Sequence, residues 1–214
     1  YAGFAQVALE RDHPGAIALF MSGCGGDQNP IPRREIRQAT GYGEQLAKAV
    51  EQVLRQGGRP ISGELSLRST EIPLKLADVH DKSYWSNEAA SSDRYRAARA
   101  NALLQTIESQ GKLSPTYPYP ITVWKLGGEF TWIFLGGEVV VEYSLRLKRN
   151  LGSSRTWVNA YWNDVMAYIP SLKILKEGGN EGATSMIYYG LPSPWAESVE
   201  EDIIAGVSSL LTTP

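Results

Sequence analysis

The protein has 214 residues, of which 43% are hydrophobic and 21% are charged, as in one globular domain. Its 21 basic and 23 acidic side chains leave a formal charge of −2, which argues against a nucleic-acid-binding protein. No apolar run reaches the roughly 18 residues of a transmembrane helix. The single cysteine, Cys24, excludes an internal disulfide framework and a zinc site built from several thiolates.

The N-terminal part is predicted to contain two helices and one buried strand. Phe4 to Arg11 has a helical pattern, which ends at His13-Pro14-Gly15. The continuous apolar run from Ala16 to Met21 predicts a strand covered on both faces, and a glycine-rich loop follows it. A second helix is expected from about Ala39 to Gln56, because its apolar residues repeat on one helical face.

The middle of the chain is predicted to add a strand, a helix and a hairpin. Apolar residues alternate from Glu64 to Leu76, which predicts a long strand, and the polar stretch from Ser86 to Gln110 is typical of a helix. Two further strands, Ile121 to Leu126 and Phe130 to Leu135, are expected to form a hairpin through Gly127-Gly128-Glu129.

The C-terminal part alternates again between helices and strands. The pattern predicts a helix from Val139 to Arg149, a strand from Thr156 to Trp162, a loop from Asn163 to Pro170, a strand from Ser185 to Tyr189 and a helix from Trp195 to Leu211. The predicted order of helices and strands indicates an α/β fold, with a mixed β-sheet flanked by helices in a single domain. The chain begins at Tyr1 without a signal-peptide pattern, so we expect it to lack an N-terminal portion.

Three polar segments follow apolar strands, where α/β sheets usually bind ligands. In the first, Asp27 and Asn29 supply a carboxylate and an amide, although an Asx-turn would have the same sequence. In the second, Glu138 can bind a metal or act as a general base, or it can simply favour a helix start. In the third, Tyr168 is either a phenol ligand or a half-buried packing residue.

The histidines limit what these segments can do. His13 and His80 are the only two in the chain, and neither belongs to a paired spacing of metal ligands. A zinc site built on Glu138 therefore needs ligands from sequence outside this chain. A Ser-His-Asp triad has no support either, since neither histidine has a credible partner in the sequence.

The order of the motifs resembles the neutral/alkaline non-lysosomal ceramidase family, and in particular its bacterial ceramidase-like branch. The resemblance is carried by GCGGDQNP within Phe20 to Pro30, by the GGEVVVEY segment around Gly137-Glu138, by NDVMAYIPS from Asn163 to Ser171, and by Glu181-Gly182-Ala183. It covers most of the chain, with Leu65 to Pro120 matching weakly. Each motif alone is moderately specific, and their order and spacing make the set more so.

This resemblance implies a zinc amidohydrolase that cuts the amide of ceramide into a sphingoid base and a fatty acid. It places residues 1–214 in the C-terminal part of the catalytic domain. Family members hold zinc with two histidines, a glutamate and a tyrosine; the last two correspond to Glu138 and Tyr168, and the histidines would precede Tyr1. Tyr168 would be a ligand or an oxyanion donor, and Asp27 and Asn29 would belong to the catalytic loop. Metal-activated water would be the nucleophile.

Two departures from the family pattern concern the substrate. Asn29 stands where the family has an essential serine, and Asn180 stands where a tyrosine is usual. Both changes weaken the case for ceramide itself as the substrate and leave the metal-hydrolase framework standing. The resemblance therefore implies hydrolysis of a ceramide or another lipid-like N-acyl amide. The expected groove beside Glu138 would be lined by aromatic residues, unless these are ordinary packing residues: Trp162, Tyr188, Tyr189 and Trp195.

A second hypothesis is a non-catalytic ligand-binding or surface protein that keeps the ceramidase-like fold. Asn29 supports it, because an amide has no hydroxyl to deprotonate. Family members are mostly secreted, periplasmic or membrane-associated. The resemblance therefore implies a secreted or periplasmic protein.

Overall fold

The computed structural model describes residues 1–212. Its helices are α1 (Ala2–Asp12), α2 (Ile36–Gln56), α3 (Lys82–Glu88), α4 (Arg94–Gln110), α5 (Val141–Leu151), α6 (Leu172–Glu177), α7 (Met186–Tyr189) and α8 (Val199–Thr212), with a π-helical turn at Asn180–Thr184. Its strands are β1 (Leu65–Lys75), β2 (Thr116–Leu126), β3 (Phe130–Leu135), β4 (Glu138–Val139), β5 (Thr156–Asn159) and β6 (Tyr168–Ile169). Helices flank a mixed sheet, so the predicted fold class is confirmed. Within residues 1–212, no helix has the length and apolar character needed to cross a membrane.

The main sheet has four strands in the order β1-β2-β3-β5. Strands β1, β2 and β3 are antiparallel neighbours, and β5 joins β3 in parallel. The β2–β3 hairpin turns at Gly127, whose φ of 56° lies in the left-handed region that glycine tolerates. The predicted hairpin is therefore present, although β2 begins earlier and includes the proline-rich stretch before Ile121.

One face of this sheet forms the core of the domain. Ile121, Ile133 and Val158 lie on it with at most 2% of their surface exposed. Helix α8 packs across β1 and β2, and α5 packs against β5. Gly206 lets α8 approach closely, because a Cβ atom there would lie only 2.6 Å from the Ile121 Cδ1 atom. Burial of these apolar side chains is the main source of stability for the domain.

The opposite face of the sheet is aromatic and less covered. Its rings contact one another in T-shaped, tilted and stacked pairs with centroids 4.5–6.2 Å apart. Trp157 at the β5 end remains 51% exposed. We call this surface the aromatic face; its members are Trp124, Phe130, Trp132, Phe134, Trp157 and Trp162.

The segment from Ala16 to Met21 is extended but is not a strand, so that prediction is wrong. Two side chains of α1 bond to the backbone of Ala18, which a strand would pair with a neighbouring strand. Glu10 accepts from the Ala18 N–H, and Gln6 donates to the Ala18 carbonyl. The segment is also exposed rather than buried, with 83% of Ile17 and 84% of Leu19 accessible. Its backbone bonds to the sheet begin just after it, where Ser22 accepts from the Asn159 side-chain amide and Gly23 forms an isolated bridge with Asn159.

The predicted helix from Ser86 to Gln110 divides into α3 and α4. Asp93 is the N-cap of α4, and its carboxylate accepts from the backbone N–H groups of Tyr95 and Arg96. The predicted strand from Ser185 to Tyr189 is instead a helical turn, since the N–H groups of Tyr188 and Tyr189 both donate to the Ser185 carbonyl.

Two boundaries near the predicted site also differ from expectation. Helix α5 begins at Val141 rather than Val139, because Glu138 and Val139 form β4. Strand β5 ends at Asn159 rather than Trp162, since the backbone turns at Tyr161 with a φ of 60°.

Candidate active site

A short two-stranded ladder brings Glu138 and Tyr168 side by side. Strands β4 and β6 run parallel, and their register pairs Glu138 with Tyr168 and Val139 with Ile169. Val139 and Ile169 are fully buried, and the alternation of a strand turns the other pair toward the partly exposed side. Two residues separated by 30 positions in the sequence are thus neighbours in space.

Gly137 makes the ladder possible. Its φ is +77°, and a Cβ atom there would lie 2.7 Å from the Ile169 Cγ1 atom and 2.8 Å from the Ala167 carbonyl oxygen. Its N–H group donates to the Asp164 carbonyl at 2.7 Å. A larger residue would therefore push the two strands apart.

Three tyrosines surround the Glu138 carboxylate. The Tyr189 hydroxyl donates a hydrogen bond to Glu138 Oε1, and the Tyr168 and Tyr189 rings meet edge to face with centroids 6.2 Å apart. Burial, together with the negative charge of Glu138, raises the pKa of Tyr168 and Tyr189 above the ordinary phenol value, and raises that of Tyr161 to about 12. Without a cation, all three phenols are protonated at neutral pH.

The sequence predicted Tyr168 and Tyr189 as site residues but gave no such prediction for Tyr161. Tyr161 lies two residues beyond the end of β5 and beside Gly25, where a Cβ atom would be 3.2 Å from the Tyr161 hydroxyl. The rule that ligands bind beyond the carboxyl ends of strands would have found it, had the end of β5 been placed at Asn159.

The glycine-rich loop packs against the same ladder, and Asp27 has a structural contact there. Its Oδ1 atom accepts from the Val141 N–H at 2.8 Å and so caps the start of α5. The Gly26 N–H donates to the Val139 carbonyl at 2.9 Å, and a Cβ atom on Gly26 would lie 2.5 Å from the Glu138 carbonyl oxygen. The hydrogen bond from the Val141 N–H holds the Asp27 carboxylate in place, so in this structure Asp27 stabilises the start of α5.

Asn29 is exposed and lines a cavity of about 460 Å³. The cavity lies between the glycine-rich loop and the first two helices, with Tyr1 and Tyr42 among its walls. Gly25, which lies beside the Tyr161 hydroxyl, also lines it.

The predicted substrate-binding aromatics do not form one group. Trp162 packs on the aromatic face, where its indole N–H donates to the Thr122 hydroxyl at 3.1 Å. Tyr188 is 66% exposed and its ring packs against Tyr95 of α4. Trp195 cannot line an open groove, because it is buried and its indole N–H donates to the Tyr168 carbonyl. Of the four, Tyr189 is the one that bonds to Glu138.

The two histidines lie in other parts of the fold. His13 bonds to Glu51 between α1 and α2, and His80 stacks on Tyr84. Among residues 1–212, no group of three or more His, Cys, Asp or Glu side chains could hold a metal ion. The site as described offers one carboxylate and three phenols.

The fold of the chain is similar to solved structures of ceramidases. The crystal structure of neutral ceramidase from Pseudomonas aeruginosa aligns with a TM-score of 0.62 at 14% identity, over 96% of this chain and 39% of that one. A ceramidase complexed with C2 aligns with a TM-score of 0.58 at 13% identity, over 93% and 39% of the two chains. The sequence matches no protein-family model and no curated protein.

These alignments show that the chain shares its fold with part of the ceramidases. The chain spans about two fifths of the length of each of these structures. At such low identity the likeness concerns the fold and leaves the activity to be argued from the site.

Proposed function

We propose that the protein is a zinc-dependent hydrolase of a ceramide-like or other N-acyl amide bond. The observation that carries the proposal is the pairing of the Glu138 carboxylate with the Tyr168 phenol in the β4–β6 ladder. The ceramidase-like fold supports the class of reaction.

Glu138 and Tyr168 would supply two of the four ligands of a zinc site. Carboxylate oxygens are common zinc ligands, and a phenol oxygen beside one can act as a second donor. Two further ligands are needed for the usual four, and we propose that histidines from another part of the same protein supply them. When bound, zinc would lower the pKa of a water molecule and polarise the amide carbonyl.

The side chains of this site would divide the remaining tasks. Glu138 supplies the negative charge that attracts a cation, and the Tyr189 hydroxyl orients its carboxylate. Tyr168 would act in one of two ways: as the second ligand of the cation, or as a protonated phenol that donates to an oxygen gaining charge during amide cleavage. Burial and the negative charge of Glu138 raise the pKa of its phenol in the absence of a cation, which favours the second role. The amide of Asn29 offers another donor in the cavity beside the glycine-rich loop.

An apolar groove supports the proposal that another part of the protein completes the site. Phe20 and Met21, with α1 and α2 and the rings of Trp132 and Trp157, line a groove of about 320 Å³. Ile17 and Leu19 beside it are more than four fifths exposed. Such a contiguous apolar surface marks a docking site, and we propose that the segment carrying the histidines covers it.

Substitution of Glu138 tests the assignment in the full-length protein. We expect Glu138→Gln to abolish stoichiometric zinc binding and to slow the release of fatty acid from an N-acyl amide substrate by at least about a hundredfold. The matched control is Glu142→Gln, which removes the same charge four residues further along the chain, in the first turn of α5. Unchanged zinc content and turnover in Glu138→Gln would contradict the proposal.

A non-catalytic ligand-binding protein is the second candidate, and Asn29 in place of the family serine favours it. It predicts that the full-length protein binds an N-acyl amide without hydrolysing it and without zinc. Metal analysis and product analysis of the wild-type protein separate the two. Whichever candidate holds, we propose a secreted or periplasmic location.

A further inference from the structure

A second cavity, of about 300 Å³, is lined by none of the site residues Glu138, Tyr161, Tyr168 and Tyr189. Its walls come from the stretch that leads into α3, from α4, and from residues on either side of α7. The polar side chains at its surface are Asp78, His80, Tyr84, Arg99 and Ser193.

Arg99 is half-buried and has no counter-ion. No carboxylate in residues 1–212 lies within ion-pair distance of its guanidinium. Glu88, whose charge influences the pKa of Arg99, is already bound by Arg96 through bonds of 2.9 and 2.7 Å. A partly buried cation without a counter-ion loses some of its hydration, and a bound anion would offset that cost.

The guanidinium group is also incompletely hydrogen-bonded. One of its amino groups donates to the Leu191 carbonyl at 3.4 Å, while its buried Nε atom has no partner in the described structure. The ring of Trp85, which is fully buried, lies under the guanidinium at 5.1 Å and holds it in place. An arginine fixed in this way is suited to oxygen atoms of an anion, which guanidinium binds in a planar fork.

Two more donor-bearing side chains are fixed near the same cavity. The His80 ring stacks on Tyr84 with centroids 3.8 Å apart, and the Trp85 indole N–H donates to the His80 carbonyl at 3.1 Å. The Ser193 hydroxyl is already used, since it donates to the Pro194 carbonyl. Asp78 is the one acidic residue that lines the cavity, and its charge opposes ligands of high negative charge.

We propose that this cavity binds a small oxyanion through Arg99, with His80 and Tyr84 as additional donors. The ligand group is a carboxylate or a phosphate, and Asp78 makes a singly charged carboxylate the better fit. The site is separate from the Glu138 ladder and does not depend on the proposed hydrolase activity.

Anion titration of the protein tests this site. Acetate and inorganic phosphate are added separately at constant ionic strength, with chloride as the reference salt, and the Arg99 Nε–H resonance is followed by NMR. We expect saturable shifts, tighter for acetate than for phosphate. We expect Arg99→Gln to weaken binding about ten- to a hundredfold, the effect of losing a charged hydrogen-bond partner. Binding in the variants is measured by isothermal titration calorimetry.

Arg94→Gln is the matched control, because it removes the same charge from an exposed position of the same helix. It should leave the affinity for acetate unchanged. If Arg99→Gln does not fold, Arg99→Lys keeps the charge but loses the planar fork, and His80→Ala removes one donor. Both should weaken binding severalfold. Tighter binding of phosphate than of acetate would overturn the preference for a carboxylate, and binding that is absent or indifferent to these substitutions would overturn the site.

Discussion

The four-stranded sheet and the β4–β6 ladder are built on opposite principles. The sheet is held by long strands and by an apolar face in which Ile121 and Ile133 have no exposed surface. The ladder has two residues in each strand, and its outer pair is a carboxylate and a phenol. Side-chain burial thus stabilises the first region, while backbone geometry positions the second. Substitutions should affect them in different ways.

The largest effect is expected for a truncation on the buried face of the sheet. Ile133→Ala should lower the free energy of unfolding by about 2–5 kcal/mol, because the cavity it leaves cannot be refilled by close-packed neighbours. Urea denaturation measures the loss. Thr131→Ala, a partly exposed position on the same strand, should cost much less. Thr131 lies on the same face as Ile133, so equal losses would show that burial does not set the cost of truncation on this face.

A methyl group added at Gly137 should be the next most costly change. Gly137→Ala forces a positive φ on a residue with a Cβ atom and creates the clashes described above, at a cost of about 1–3 kcal/mol. Gly128→Ala in the hairpin has open space around the new methyl group and serves as the control. A thermal unfolding midpoint unaffected by Gly137→Ala would mean that the ladder does not need this glycine.

Loss of one hydroxyl in the site should have a smaller effect. Tyr189→Phe removes the hydrogen bond to Glu138 and should cost about 0.5–1.5 kcal/mol. Tyr188→Phe, at the adjacent exposed position, should be neutral. Chemical denaturation of the two variants side by side separates them, and the same loss in both would count against the bond.

The smallest effect concerns Cys24, which joins the loop beside the ladder to the core. Burial raises the pKa of its thiol from 9.0 to about 12, so the unfolded chain loses the thiol proton first as the pH rises. This contribution to stability is complete below pH 9 and is lost between pH 9 and 12. At pH 9 the loss is about 0.4 kcal/mol.

Cys24→Ala provides the comparison for this pH effect. The difference in unfolding free energy between pH 7 and pH 9 should be smaller in the variant than in the wild type by that amount. An identical difference in both proteins would show that the thiol is not buried.

The elements of the sheet could be predicted because each has a long periodic pattern. The β2–β3 hairpin and the apolar face of α2 follow from spacing alone. The run from Ala16 to Met21 was wrongly predicted as a buried strand, because a fully apolar run predicts burial without showing whether a partner strand is present. The segment from Ser185 to Tyr189 is too short for periodicity to distinguish a strand from a helical turn.

The site was harder to predict than the sheet. The sequence selected Glu138, Tyr168 and Tyr189, and the structure places these three together. It could not show that Trp162 turns to the aromatic face, since this depends on the left-handed backbone at Tyr161. The hydrogen bond between Asp27 and Val141 could not be predicted from the sequence either, because it joins residues more than a hundred positions apart.

The ladder has a consequence for redesign. Main-chain hydrogen bonds help to set the spacing of positions 138 and 168, for example between the Glu138 N–H and the Ala167 carbonyl. Any two side chains introduced there would therefore remain neighbours. A library that varies both positions together could explore new ligand pairs and chemistries on an unaltered scaffold.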